Sequence, residues 1–553
     1  MTCNIKQISN MHKIRASRDL ENISPISEVS LFQGETFHWQ VALTTDRHLH
    51  FSIKLTSQLK DYTEIYQVGN VMMDMPAYSF IECTDYITKE PGFMPDVLMP
   101  FDTEKDNIRV NKDAVVLWIK LKLPKDIPAG KYDVTLEAKT FFPFGASDES
   151  EAFSVSTNMT INVLPEVVPE QKTKFTQWFH SDCISSVHNV EIFSEKHWDL
   201  IDKYMSMASE FGINMILTPI ITPPLDTAEG IRRPNVQLVK IEKSGDKYSF
   251  DFSLLKRWVD LAKKNNMKYF EISHLFSQWG LKYAPNIYVY ENGIGSYMFG
   301  WHVSSKAEEY ADFLKQFIPA VIEFLKSEEI ANNCYFHISD EPNEEHLESY
   351  NYAKSIIKPL IGNIKTIDAL STPEFYTSGV VEIPVPAINK IGGFLSLDVP
   401  ERWTYYCCSQ GEKVTNRFLS MPLGRTRIIG LQMYKYGIEG FLQWGYNYYY
   451  SQFSRSLINP YITTSANNAF PSGDTFSVYP GADGPLPSIR GYVFKQALQD
   501  IELCRMLESK IGHDAVVSLI EEVAGMSITF EEYPSDANFI PKVMDIIKEK
   551  IKG

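Results

Sequence analysis

Two adjacent carboxylates, Asp340 and Glu341, are the residues of this chain whose types and position best suit chemistry. They follow the apolar run 333–338 (NCYFHI), where a strand is expected to give way to a helix. In α/β barrels the catalytic groups lie at the carboxyl ends of the strands. Cleavage of a glycosidic bond needs a proton donor to the leaving oxygen and a second group that supports the positive centre. Asp340 and Glu341 could therefore form a catalytic pair, in which the longer Glu341 reaches the glycosidic oxygen.

The same residues also fit a structural role. Ser339 or Asp340 could be the N-cap of a helix that has Pro342 at its first position. Glu344 and Glu345 would then complement the helix dipole. Capping uses only one carboxylate, however, whereas two precede the proline. At this point both interpretations stay open.

The composition describes a folded protein with a neutral partner. The chain has 553 residues, of which 44% are hydrophobic, 13% aromatic and 22% charged, and this length predicts two to four domains. A formal net charge of −16 disfavours nucleic acid and anionic membranes, because their phosphates would repel the average surface. No stretch reaches the length of a membrane span, and the first residues lack the apolar core of a secretory signal. We expect a cytoplasmic protein without membrane insertion.

The sequence predicts no cofactor and no metal. The 7 cysteines and 12 histidines are scattered without the spacing of a zinc site or a disulfide framework. Phosphate-binding glycine-rich loops, dinucleotide fingerprints and metalloprotease helix motifs are absent from the sequence.

Residues 1–165 are predicted to form an antiparallel β-sandwich, because short β-prone runs are separated by turn residues. The clearest runs are 36–43 (TFHWQVAL), 114–123 (AVVLWIKLKL), 130–138 (GKYDVTLEA) and 154–164 (SVSTNMTINVL). A loop is expected at 145–152. Residues 166–172 are predicted to be a semi-rigid linker, since Pro165 and Pro169 restrict the backbone.

Residues 173–553 are predicted to form a (β/α)8 TIM barrel with C-terminal helices, because strand and helix patterns alternate. The fold class is thus multidomain β plus α/β. A hairpin that turns at 244–246 is expected within 236–252. The eight candidate strands are 175–179, 214–217, 268–272, 334–338, 365–368, 381–385, 404–407 and 440–444.

Polar and aromatic side chains follow nearly every one of these strands. In a barrel they would gather at one rim, where aromatic rings can stack on the C–H faces of a sugar and polar groups can bind its hydroxyls. Some of them could instead pack beneath loops or satisfy the backbone. Besides the carboxylate pair, the candidate site residues are Trp178, Asp182, Asp226, His274, Trp279, Tyr405, Trp444, Tyr446, Asn447 and Tyr448.

Several motifs of the second region, taken together and in this order, resemble glycoside hydrolase family 123, the family of β-N-acetylgalactosaminidases. The expected β-sandwich also matches the domain arrangement of that family. The motifs are WFHSDCISS from 178, LTPIITPPLDT from 217, RPNVQLV from 233, FEISHLFSQWG from 270, HISDEP from 337, GIEGFLQWGYNYYY from 437 and FPSGDTFSVYPGADGPLPSIR from 470.

The resemblance implies an exo-acting, retaining enzyme with a substrate-assisted mechanism. The 2-acetamido oxygen of the sugar would attack the anomeric carbon and form an oxazolinium intermediate. By this resemblance Asp340 would orient the acetamido group, and Glu341 would act first as general acid and then as general base. An intramolecular nucleophile gains a large effective molarity only when it is held in the attacking orientation.

The resemblance also suggests supporting roles for the other candidates. Either Tyr446 or Tyr448 would hydrogen-bond the acetamido oxygen, and Trp444 would form the floor of the pocket, with Trp279 or Trp178 on its wall. Hydroxyl ligands are expected among His274, Asn447, Asp182 and Asp226. Two other functions stay open: a hydrolase of the same type that acts on β-linked N-acetylglucosamine, and a non-catalytic carbohydrate-binding protein.

Overall fold

The computed structural model describes residues 3–141, 152–342 and 344–553. The loop predicted at 145–152 lies outside these ranges except for Ala152, and Asn343 lies outside them as well. No helix within the described ranges combines the length and the apolar character that crossing a bilayer requires.

The first region folds as two five-stranded sheets, of order β1-β3-β8-β5-β6 and β2-β10-β9-β4-β7. Neighbouring strands are antiparallel except for the parallel pair of β2 and β10. Side chains alternate along the strands, so that Val134, Leu136 and Ala138 of β9 are buried between the sheets. The predicted β-sandwich is confirmed. Its strands are β1 Cys3–Ser9, β2 Glu28–Gln33, β3 Thr36–Thr45, β4 His48–Thr56, β5 Thr63–Met73, β6 Gly92–Pro100, β7 Asn107–Asn111, β8 Ala114–Lys122, β9 Gly130–Phe141 and β10 Ser154–Val167.

The last sandwich strand continues into the segment predicted to be a linker. Val167 still pairs with Gln33 of β2, and the register shifts between Leu164 and Val167, where Pro165 cannot donate a ladder hydrogen bond. The irregularity lets the strand continue past the proline.

The second region is a nearly closed barrel of eight parallel strands, and each of them overlaps the strand predicted for it. Neighbours in the sheet follow chain order, and a single parallel bridge between Ala387 and Tyr405 joins the sixth strand to the seventh. The barrel strands are β11 Lys174–Gln177, β12 Met215–Thr218, β15 Tyr269–Ile272, β18 Cys334–Phe336, β19 Lys365–Leu370, β20 Ile383–Pro386, β21 Trp403–Tyr405 and β22 Gly440–Gln443.

Two hairpins and a short ribbon decorate the barrel. The predicted hairpin is confirmed by β13 Lys240–Ser244 and β14 Lys247–Asp251. A second one, β16 Ile287–Glu291 and β17 Ile294–Phe299, was not predicted, although it turns at Asn292 and Gly293 with φ values of 52° and 82°. Asn-Gly is the strongest local signal for such a turn. The ribbon pairs β23 Tyr479–Pro480 with β24 Pro485–Leu486.

Amphipathic helices cover the barrel, and the C-terminal ones pack on its outer surface. Between the sixth and seventh strands, β20 and β21, only a 3-10 turn at Ile391–Gly393 occurs, so this unit departs from an ideal βα repeat. The helices are α1 Ser181–His188, α2 Glu195–Glu210, α3 Ser253–Lys264, α4 Glu308–Ser327, α5 Leu347–Ile361, α6 Pro373–Thr377, α7 Leu423–Arg427, α8 Ile429–Lys435, α9 Ile489–Ile511, α10 His513–Ala524 and α11 Phe539–Lys552.

A buried ion pair joins the sandwich to the barrel. The guanidinium of Arg490, on α9, donates to both carboxylate oxygens of Asp96, on β6, at 2.9–3.0 Å. Tyr479 donates its hydroxyl to the same carboxylate at 2.6 Å, and the ion pair is fully buried. Arg490 also donates to the carbonyl oxygens of Gly473 and Phe476. One charge pair therefore anchors the sandwich to α9 and to the segment that follows the last barrel strand.

Replacing Asp96 with asparagine should lower the free energy of unfolding by about 3–5 kcal/mol, because the buried Arg490 charge loses its partner. Urea unfolding measures this change. Glu28→Gln is the control, since the exposed pair of Glu28 and Lys131 is expected to contribute no more than about 1 kcal/mol. Equal effects of the two substitutions would contradict the anchoring role.

Candidate active site

A cavity opens at the carboxyl ends of the barrel strands and contains most of the predicted site residues. Its empty volume, which includes space open to solvent, is about 590 Å³. Leu225, Gln278, Ala369, Leu442 and Phe470 complete much of its wall. The predicted site residues that line it are Trp178, Asp226, Trp279, Asp340, Glu341, Tyr405 and Trp444.

Asp340 lies at the inner end of the carboxylate pair and is almost fully buried. Gln278 donates its side-chain amide to Asp340 Oδ2 at 2.6 Å, and its own oxygen accepts the backbone N–H of Asp226. Burial and the negative charge of Glu341 raise the pKa of Asp340 to about 8, against the opposing hydrogen bond from Gln278. Both causes favour the protonated form of Asp340.

Glu341 points to the open side of the cavity and is exposed. Tyr405 donates its hydroxyl to Glu341 Oε1 at 2.6 Å. The backbone of Glu341 has a φ of 46°, which is strained for a residue with a side chain. This conformation sends the two neighbouring carboxylates to different partners, Gln278 and Tyr405.

The capping interpretation of Asp340 and Glu341 is wrong. A 3-10 turn at Glu344–His346 leads into helix α5, which begins at Leu347 and has His346 as its N-cap residue. Pro342 therefore does not occupy the first position of that helix. The two carboxylates lie in a turn that follows strand β18, and both side chains form hydrogen bonds within the cavity.

A buried charge cluster lies beneath this turn. His337 Nε2 is 2.8 Å from Glu271 Oε1, and His337 Nδ1 is 3.4 Å from Asp368 Oδ1. Burial alone would lower the pKa of His337, but the carboxylates of Asp368 and Glu271 raise it to about 10. His337 is therefore an imidazolium that compensates two buried carboxylates.

The cluster fixes both the carboxylate pair and one wall of the cavity. Asp368 Oδ1 accepts the backbone N–H groups of Ile338 and Ser339 at 3.2 and 3.3 Å. Glu271 accepts the indole N–H of Trp178 at 2.9 Å. The same buried charges therefore position the end of the fourth barrel strand and Trp178 in the cavity wall.

Hydrogen bonds also orient Trp444 and Asp226, which line the cavity. Trp444 donates its indole N–H to Asp474 Oδ2 at 2.8 Å. Asp226 Oδ2 accepts the Tyr448 hydroxyl at 2.7 Å and the Phe453 backbone N–H at 3.0 Å. Trp444 and Asp226 therefore have fixed orientations, and the second oxygen of Asp226 is free of those two hydrogen bonds.

Five predicted ligands are not brought to the cavity, and protein atoms engage the polar groups of four of them. Asp182 forms a buried ion pair with Arg233 at 2.7 Å. Asn447 bonds the backbone of His180, the Tyr446 hydroxyl donates to the Tyr204 carbonyl oxygen at 2.9 Å, and the Tyr448 hydroxyl faces Asp226. As direct ligands these predictions are corrected for Asp182, Tyr446, Asn447 and Tyr448.

His274, the fifth of these residues, lies in the cluster below the cavity. Its ring stacks on His337 with centroids 4.2 Å apart, and neither ring nitrogen has a hydrogen-bond partner among the described residues. Burial and the charge of His337 hold its pKa well below the usual value, so that His274 is neutral. Its ring packs between His337 and Trp178 below the cavity.

Comparisons with known proteins agree with this architecture. The family model described as "Glycoside hydrolase 123, catalytic domain" matches residues 178–507. A solved family 123 glycoside hydrolase from Clostridium perfringens, described for glycolipid glycan hydrolysis, superposes with a TM-score of 0.74 at 15% identity over 100% of this chain and 98% of that one. The N-terminal domain of PorA reaches a TM-score of only 0.15, at 8% identity over 30% of this chain and 98% of its own. No curated protein sequence matches the chain.

The ionisable carboxylates that line the cavity are those of Asp226, Asp340 and Glu341. No group of three or more histidine, cysteine, aspartate or glutamate side chains in ranges 3–141, 152–342 and 344–553 could hold a metal ion. A pair of carboxyl groups in an aromatic cavity is suited to general acid and base chemistry.

The charge of His337 provides a pH test of the cluster. Its pKa rises from about 6.5 in the unfolded chain to about 10 in the fold. Its stabilising contribution should therefore be complete below about pH 6.5 and be lost as the pH rises through about 10. NMR of ¹⁵N-labelled histidines should show an imidazolium that persists at pH 8, assigned by its loss in His337→Gln. A His337 ring that is neutral at pH 8 would contradict the cluster.

Proposed function

Because the chain belongs to glycoside hydrolase family 123, we propose that it is a retaining exo-β-N-acetylgalactosaminidase. The proposed reaction removes terminal, non-reducing β-linked N-acetylgalactosamine from oligosaccharides or glycosphingolipid glycans. The observation that carries the proposal is the adjacent pair of Asp340 and Glu341, each bound by a neutral donor in one aromatic cavity. As a member of the family the protein is a glycosidase that acts on carbohydrate.

The pair supports participation of the substrate's own acetamido group. A mechanism with two protein carboxylates places them on opposite sides of the anomeric carbon, about 5–10 Å apart. The third carboxylate of the cavity, Asp226, is bound by Tyr448 and Phe453. We assign it to a sugar hydroxyl and assign the nucleophile to the acetamido oxygen.

The proton on Asp340 gives the two carboxylates different tasks in this mechanism. When the acetamido N–H approaches, Asp340 accepts it as a carboxylate and passes its proton to Glu341. Glu341 then donates this proton to the glycosidic oxygen as the acetamido oxygen attacks the anomeric carbon. In the second half, Glu341 takes a proton from the water that opens the oxazolinium ring.

The surrounding residues would hold the sugar ring. We place the apolar face of the sugar on Trp444, with Trp178 and Trp279 on the walls. Tyr405 is the tyrosine that lines the cavity. Its hydroxyl donates to Glu341 in the unliganded site, and once Glu341 is protonated this hydroxyl is released and can donate to the acetamido oxygen. The hydroxyls of Tyr446 and Tyr448 are engaged elsewhere.

Glu341→Gln should lower kcat/KM on a β-N-acetylgalactosaminide with an unactivated leaving group by about 10²–10⁴-fold, because the general acid is lost. Paired β-GalNAc and β-GlcNAc glycosides measure the activity and separate the two hexosamines. Full activity of the variant would contradict the role of Glu341. Preference of the wild type for the β-GlcNAc glycoside would select the alternative hexosaminidase, and turnover of neither substrate would favour a binding protein.

Replacement of the 2-acetamido group of the substrate with a hydroxyl should lower kcat/KM by more than about 10³-fold, because the intramolecular nucleophile is absent. NMR of the first product from the natural substrate should show the β-anomer, as expected for retention. Release of the α-anomer, or equal turnover of the 2-hydroxyl glycoside, would contradict substrate assistance.

A further inference from the structure

We propose that the sandwich loop 74–91 carries a second sugar-binding position, in which Tyr78 and Phe80 hold the pyranose on the leaving-group side of the scissile bond. This inference rests on the proposed function, because it extends the same cavity toward the rest of the substrate. It assigns the sandwich a part in substrate recognition.

Both ends of the loop form hydrogen bonds with segments that follow the barrel strands. Near its start, Asp74 accepts hydrogen bonds from the hydroxyls of Ser465 and Ser472 at 2.6 and 3.0 Å. Near its end, the Ile87 backbone N–H donates to the Ser420 carbonyl oxygen at 2.8 Å. The loop thus reaches from the sandwich onto the segments that follow the last two barrel strands and holds a fixed position there.

An aromatic path leads from the cavity to this loop. Phe470 lines the cavity and meets the Trp444 ring edge-on at 5.5 Å. The carbonyl oxygen of the preceding residue, Ala469, accepts the Tyr78 hydroxyl at 3.0 Å. Phe80 then stacks on Tyr78 with centroids 5.2 Å apart and planes at 13°. The stacked pair of Tyr78 and Phe80 is therefore linked to the cavity wall through the backbone next to Phe470.

Phe80 exposes a broad apolar surface to solvent at this place. It is 70% exposed, whereas Tyr78 beneath it is half-buried. Trp279, which lines the cavity, is itself 42% exposed and contacts Phe453 edge-on. Exposed aromatic rings therefore occur on the barrel side, at Trp279, and on the sandwich side, at Phe80.

A neutral pyranose is the ligand that this surface fits. An exo-acting enzyme encloses the terminal sugar, so that the next ring of the glycan must leave through the mouth of the cavity. The C–H face of that ring can stack on exposed aromatic side chains, and with a protein charge of −16 a neutral ring avoids the repulsion that an acidic sugar would meet. Both a free oligosaccharide and a glycolipid present such a ring.

The substitution Phe80→Ala tests binding of the second sugar ring separately from binding of the terminal sugar. Three substrates are compared by release of N-acetylgalactosamine: its methyl β-glycoside, a free disaccharide in which it is β-linked to galactose, and a glycolipid in detergent micelles with the same terminal disaccharide. Loss of one stacking contact should lower kcat/KM about 3- to 10-fold on the last two. The methyl glycoside should change by less than about twofold, since it lacks the second ring.

Phe141→Ala, at an exposed aromatic of the second sheet, is the matched control and should leave all three substrates unchanged. Equal losses on all three substrates, no loss on any, or a loss confined to the glycolipid would overturn the inference. Turnover by the wild type with no effect of Phe80→Ala overturns this inference alone. If the wild type hydrolyses none of the substrates, the proposed function fails and the inference fails with it.

Discussion

The hydrogen bonds that Asp368 accepts from the backbone of Ile338 and Ser339 are the constraint on which the catalytic face depends. They fix the end of the fourth barrel strand and with it the strained turn at Glu341. A buried carboxylate is costly unless it is paired, and the imidazolium of His337 provides the opposite charge. Because His337 also pairs with Glu271, which binds Trp178, one buried cluster orients both the carboxylate pair and an aromatic wall.

This arrangement explains how two adjacent carboxylates can have different chemistry. Asp340 lies inside, where burial and its neighbour's charge raise its pKa to about 8, whereas Glu341 faces the open cavity and binds Tyr405. In the proposed mechanism the acetamido group of the sugar changes this balance and sends the proton to Glu341. In the proposed second sugar position the sandwich takes part as well, and its buried ion pair between Asp96 and Arg490 holds it against the barrel.

The sequence predicts the fold better than the site, for a physical reason. Each barrel strand is a short apolar run, and its period and turn residues are local properties that a sequence displays. The hairpin at Asn292-Gly293 shows that a local signal can also be overlooked. The capping interpretation failed because the choice between cap and cavity depends on Gln278 and Tyr405, which come from other strands of the barrel.

The direction of side chains in irregular segments is what local patterns could not supply. After the eighth strand, Trp444 lines the cavity while Tyr446 and Asn447 turn to the backbone of the first βα unit. Glu271 and His337 did give a usable signal, since charged residues within buried strands need partners. Such residues indicate a network, but the coordinates are needed to show that it supports the site from below.

The central claim is that Asp340 aligns the nucleophile of the substrate and Glu341 moves the proton. The most direct measurement is a crystal structure of the protein with a thiazoline mimic of the oxazolinium intermediate. The ring nitrogen of the mimic is expected to lie within hydrogen-bond distance of Asp340, with Glu341 on the side from which the leaving group and water approach the anomeric carbon. A mimic whose nitrogen faces Asp226, or whose anomeric carbon is contacted by a protein carboxylate, would contradict it.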